Sequence, residues 1–136
     1  ESRQMIDSLV HQIEATAEAA KYWRTAIIAK TVEECQALYN QLTAEQKKQV
    51  QLLTDEEDFM KKNLIIIPTY LAKGLEFDRV FAWNVSPENY HTEQDKLILY
   101  TVCTRAMHEL NLLVIGRKSP LLEMIPETLY IQKALN

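Results

Sequence analysis

Glycine is nearly missing from this chain, which carries two, Gly74 and Gly116, in 136 residues. No GxxxxGK[ST] run is present, so the loop whose backbone amides would cradle phosphates is absent. These residues alone therefore make no complete nucleoside triphosphatase. Cysteine is equally sparse. Cys35 and Cys103 stand apart, without a CxxC pair or a histidine at ligand spacing, which argues against a disulfide framework and against a metal site. His11, His91 and His108 have no nucleophile or carboxylate arrangement that spacing can pair, so they read as surface or packing residues rather than parts of a hydrolytic triad.

Long apolar runs are lacking too. None approaches the roughly 20 residues that span a bilayer, and no signal-peptide pattern opens the chain. The expectation is a cytoplasmic protein without membrane contact, and Glu1 in place of Met points to a piece of a longer chain. Positive charge is not in excess: 15 Lys and Arg face 19 Asp and Glu, a net charge of −4. Bulk electrostatics would not hold nucleic acid here, so any such contact must be local.

What is present is the composition of a soluble globular protein, 47% hydrophobic and 25% charged. The length suits one domain, residues 1–136, burying roughly two-thirds of its unfolded surface. Met5, Ile6, Leu9, Val10, Ile13, Ala17 and Ala20 share one side of a helical period and predict an amphipathic helix over 3–20. Residues 25–29 predict a first buried strand, and Thr31 with Glu34 reads as a capping box opening a helix that buries Val32, Cys35, Leu38, Tyr39 and Leu42. Thr43 with Gln46 and Thr54 with Glu57 repeat the capping signal around a short strand at 49–53, predicting a brief helical turn on each side. Strands follow at 64–68, 80–83 and 110–115, the last ended by Gly116. Between them, 84–91 reads as a loop, and Thr92 with Asp95 caps a helix so apolar from Leu97 to Cys103 that it should be covered on more than one side. Ser119-Pro120 opens a short helix that Pro126 stops. Strands separated by helices imply an α/β fold with a mostly parallel sheet flanked by helices.

Two stretches stand out chemically. Leu71-Ala72-Lys73-Gly74-Leu75-Glu76-Phe77-Asp78 places a glycine, where backbone can come close to a ligand, in a turn leaving a strand. In open α/β sheets ligands bind at the carboxyl ends of the strands, and the Lys73–Glu76 turn is expected there. Tyr100-Thr101-Val102-Cys103-Thr104-Arg105-Ala106 carries one arginine on an otherwise apolar helix. Its guanidinium is always charged and offers forked donors to phosphate oxygens. Taken singly, Gly74 and Glu76 read equally as a turn glycine and a surface carboxylate, and Arg105 as a helix-end cation.

Thr69-Tyr70-Leu71-Ala72-Lys73-Gly74-Leu75-Glu76-Phe77-Asp78 followed by Tyr100-Thr101-Val102-Cys103-Thr104-Arg105-Ala106 resembles motifs V and VI of superfamily 1 DNA helicases of the UvrD type, with helicase IV (HelD) the nearest subtype. The resemblance runs over roughly residues 24–116 and rests on two ordered motifs. It implies a RecA-like second motor domain without its own P-loop, the C-terminal partner of an N-terminal RecA-like domain that holds most of ATP and Mg²⁺. It further implies that Glu76 binds the ribose, that Gly74 gives the backbone room near the phosphates, and that Arg105 touches the γ-phosphate as the catalytic arginine. Thr69, Tyr70, Lys73 and Thr104 become candidates for single-stranded DNA contact or for coupling. Lys73 suits phosphate, DNA backbone or a nearby carboxylate, and the Tyr70 ring suits base stacking or core packing. Tyr70 stands where most relatives have histidine and Pro68 where many have threonine. About twenty residues separate Leu42 from Leu64, where relatives carry a large accessory domain. The parent chain is then an ATP-dependent DNA helicase or translocase, this piece alone being inactive. An RNA polymerase-associated remodeller and a degenerate interaction module are the alternatives.

Overall fold

The computed structural model describes residues 2–56, 58–114 and 131–132. A six-stranded sheet in the order β2-β3-β1-β4-β5-β6 is parallel at every pairing. Its strands are β1 (Thr25–Ala29), β2 (Gln51–Leu52), β3 (Leu64–Pro68), β4 (Phe77–Ala82), β5 (Ala106–Leu112) and β6 (Ile131–Gln132). The helices are α1 (Ser2–Ala15), α2 (Val32–Asn40), α3 (Ala44–Gln49), α4 (Thr69–Ala72) and α5 (Glu93–Cys103). None of the described helices is long and apolar enough to cross a membrane.

The side-chain period of two along each strand divides the core into two layers. Ile28, Ile65, Ile67, Val80 and Leu112 face Ala72 of α4 and Leu99 and Val102 of α5. Ile27, Ile66 and Phe81 face Met5, Ile6 and Leu9 of α1 and Cys35 and Leu38 of α2. Every residue of β1 is buried, as expected for a central parallel strand covered on both faces.

Local capping chemistry sets the helix starts. Thr43 with Gln46 and Thr92 with Asp95 form reciprocal capping boxes. Thr31 accepts from the Glu34 N–H at 3.1 Å, but the Glu34 carboxylate accepts from Lys30 N at 3.0 Å, one residue upstream of the cap. That first box is therefore only half made.

Several expectations are corrected. Regular helix ends at Ala15 rather than 20, because the Thr16 hydroxyl bonds the Gln12 carbonyl at 2.7 Å and is held from the sheet by Arg79 Nη1 at 2.7 Å. β4 begins at Phe77, three residues before the apolar run, and β5 at Ala106, four before its own, because Phe77 N donates to Arg105 O at 2.9 Å and starts their ladder early. A bulge then lies between the Phe77–Ala106 and Arg79–Glu109 pairs and breaks the alternation that sequence reading relies on. The helical turn expected from Thr54 does not form among the described residues between β2 and β3, and Glu57 lies outside them. α5 is covered on one side only: Leu99 and Val102 are buried, whereas Leu97 is 69% and Tyr100 58% exposed. Gly116 and the helix expected from Ser119 also lie outside the described residues.

Candidate functional site

The segment between β3 and β4 crosses the height of the sheet in eight residues. It leaves the carboxyl end of β3 at Thr69, makes the single turn of α4, and enters β4 at Phe77. β3 and β4 both run parallel to β1, so the glycine turn lies at the amino end of β4, not at the carboxyl ends of the strands as expected. The reason is α4 itself, a one-turn helix whose four residues give no period to read.

At that amino end the turn is closed by Leu75 N donating to Ala72 O at 3.0 Å. Gly74 has φ +86° and open space where a Cβ would stand, so its glycine is required by backbone conformation rather than by crowding. Glu76 is exposed and makes no hydrogen bond or ion pair with any described residue. Arg105 lies just past the Thr104 cap of α5 and leads into β5. Its Nε donates to Thr101 O at 3.2 Å, its Nη1 to Leu75 O at 3.3 Å and its Nη2 to Thr104 Oγ1 at 3.4 Å. All three acceptors are neutral, and no carboxylate among the described residues pairs with it. Gly74, Glu76 and Arg105 thus meet at one corner of the sheet. Thr104 joins that corner, bonding Thr101 O at 3.0 Å and bracing the arginine.

Thr69, Tyr70 and Lys73 form a second group. Thr69 Oγ1 donates to Lys30 O at 2.8 Å, and Tyr70 Oη donates to Thr54 O at 3.2 Å. With its ring 55% exposed, Tyr70 is not a core residue. The three line a cleft of about 330 Å³ whose other wall is Gln94, Leu97, Ile98 and Thr101 of α5. A second cleft, of about 370 Å³, places Tyr70 and Lys73 opposite Asp55, Glu56 and Asp58. Lys73 forms no ion pair with a described residue across it.

Sequence reading missed two buried polar groups. Lys30 Nζ lies 2.8 Å from Asp95 Oδ1, and Asp95 Oδ2 accepts from His91 N at 2.9 Å and Thr92 N at 3.1 Å. Burial alone would raise the Asp95 carboxyl, but Lys30 and these N–H donors outweigh it and hold the acid well below the usual carboxylate range. Lysine directly after a buried strand was the available signal. Arg79, buried beside the turn that follows α1, donates to Thr25 Oγ1 at 3.2 Å and sits over the rings of Phe81 and Trp23. Burial lowers its guanidinium pKa, and Glu109 opposes that shift. Burial also pushes the Cys35 and Cys103 thiols up to about 12, so neither is a nucleophile at neutral pH. No group of three or more potential metal ligands occurs among the described residues.

Comparison with known proteins follows the same ground. A family model described as the UvrD-like helicase C-terminal domain matches residues 63–113, the span from β3 through β5 that carries both candidate groups. Among solved structures, the C-terminal domain of a possible DNA helicase from Lactobacillus plantarum WCFS1 is similar at 42% identity and a TM-score of 0.77. The match covers 93% of this chain and 76% of that one. No curated protein matches.

Proposed function

Because the chain belongs to the UvrD-like helicase C-terminal domains, we propose that its RecA-like sheet is the second motor domain of an ATP-dependent DNA helicase or translocase acting in the cytoplasm. One observation carries this reading: an exposed carboxylate and a guanidinium with no carboxylate partner among the described residues are brought to one corner by the Arg105–Leu75 bond. Neither has an opposite charge paired with it among the described residues, which suits a ligand shared with another domain.

The residues present fit a nucleotide. Glu76 accepts hydrogen bonds from ribose hydroxyls, and Gly74 keeps the adjoining backbone open to the phosphates. Arg105 exchanges neutral acceptors for phosphate oxygens, to which its forked donors are better matched. ATP with Mg²⁺ supplies the phosphoanhydride whose hydrolysis drives movement. In such chemistry an arginine that stabilises transition-state charge is worth on the order of 10³ to 10⁵ in rate. Phosphate cradle and magnesium ligands come from the N-terminal RecA-like domain of the same protein. Single-stranded DNA lies along the cleft of Thr69, Tyr70 and Lys73, the exposed ring offering a stacking face and the lysine ammonium a phosphate contact. No described feature favours the alternative of a factor that remodels RNA polymerase.

The test is calorimetric titration of ATP·Mg²⁺ into these 136 residues and into the full-length protein, with circular dichroism confirming that both are folded. Binding is expected only in the full-length protein. Tight binding by the folded domain alone would contradict a shared site.

A further inference from the structure

We propose that Lys30 is a positioning residue for Arg105, a hub that fixes the nucleic-acid-facing helix α4 to α5, the helix that leads into Arg105, so that displacement of one is transmitted to the other. The proposal rests on the motor reading above. Lys30 is the first residue past β1, and it bonds three helices at once. Its N–H donates to Glu34 of α2 at 3.0 Å, and its carbonyl accepts from Thr69, the first residue of α4, at 2.8 Å. Its ammonium pairs with Asp95 of α5 at 2.8 Å and donates to Asn89 O at 2.6 Å.

Asp95 is also the third helical residue of α5, where it completes the capping box with Thr92, so the lysine grips that helix by its amino end. At the opposite end Arg105 donates to Leu75 O, in the turn that leaves α4. α4 and α5 are therefore joined twice, through Lys30 above and through Arg105 below. Side-chain exposures of 23% for Lys30 and 7% for Asp95 make this a largely desolvated ion pair. Such pairs gain little net stability over apolar packing, since desolvation offsets the attraction. Fixed orientation is what the pair supplies here, and a shift of about 1 Å at a reacting group is enough to cost roughly a hundredfold in rate.

The test uses the full-length protein with saturating oligo-dT, measuring kcat and KM for ATP in Lys30→Met, Lys30→Arg and Asp95→Asn, with melting curves alongside. Asparagine keeps an oxygen for the α5 cap while losing the charge that holds Lys30. We expect Lys30→Met and Asp95→Asn to lower DNA-saturated kcat by roughly ten- to a hundredfold with KM changed less than about twofold. Lys30→Arg should retain most of the turnover. Wild-type kcat in folded Asp95→Asn would overturn the proposal, even were Lys30→Met unable to fold. A fall in kcat that only tracks the loss of folded protein would overturn it as well. If single-stranded DNA fails to stimulate ATP hydrolysis by the unaltered protein, the motor reading itself falls, and the proposal with it.

Discussion

Glu76 is exposed and has no partner among the described residues, so its carboxylate contributes little to folding and is available to a ligand. Glu76→Ala in the full-length protein should weaken nucleotide binding while stability stays within about 0.5 kcal/mol, read by fluorescent-nucleotide titration beside a melting curve. A stability loss with unchanged affinity would return Glu76 to a structural role. Asp95 is the opposite case, a buried acid whose pKa is held below its unfolded value. Its contribution to stability is fully present above the unfolded pKa of about 3.9 and is lost as pH falls through the folded value. Asp95→Asn should therefore be less stable than the parent at neutral pH, with the gap narrowing as the medium is acidified below about pH 4. Urea denaturation across that range checks the sign.

At the scale of elements, α5 is a helix of two faces. Leu99, fully buried against the sheet, should cost about 2–5 kcal/mol on truncation to alanine. Leu97, one wall of the cleft, should cost no more than about 0.5 kcal/mol, and denaturant titration of the two variants separates the faces. This face structure was only partly legible in the sequence, because an apolar run gives the amount of hydrophobic surface but not how much of it has a neighbour. Helix starts were legible at Thr43 and Thr92, where cap and partner are three residues apart and answer to local chemistry alone. β1 and β3 were legible because, past the first residue of each, 26–29 and 65–68 are apolar and buried. The early starts of β4 and β5 were not, since the bulge near Met107 and His108 depends on a partner strand remote in the chain. The same limit hid the Lys30–Asp95 pair, whose members are 65 positions apart and meet only when the sheet is assembled.

For the molecule as a whole, the two candidate groups occupy opposite ends of one short crossing of the sheet, with Thr69 at the carboxyl end of β3 and Glu76 at the amino end of β4. Gly74, Glu76 and Arg105 were recognisable as motif residues before any geometry was known, but their place at the amino ends was not, because α4 has no periodic signature. With a net charge of −4, the nucleic-acid contact proposed for the α4–α5 cleft would be local, and the proposed motor would draw on its other domain for the rest of its binding. As proposed, Arg105 completes a nucleotide site shared between domains and acts mainly in the transition state. Its most direct test is steady-state ATP hydrolysis by full-length Arg105→Lys and Arg105→Ala with saturating single-stranded DNA, set beside nucleotide affinity and melting curves. Lysine keeps the charge and loses the planar fork, so turnover should fall steeply while ATP affinity and folding persist, with alanine at least as severe. Turnover retained in both variants would contradict the assignment, and unfolding of both would make Arg105 a helix-end brace instead.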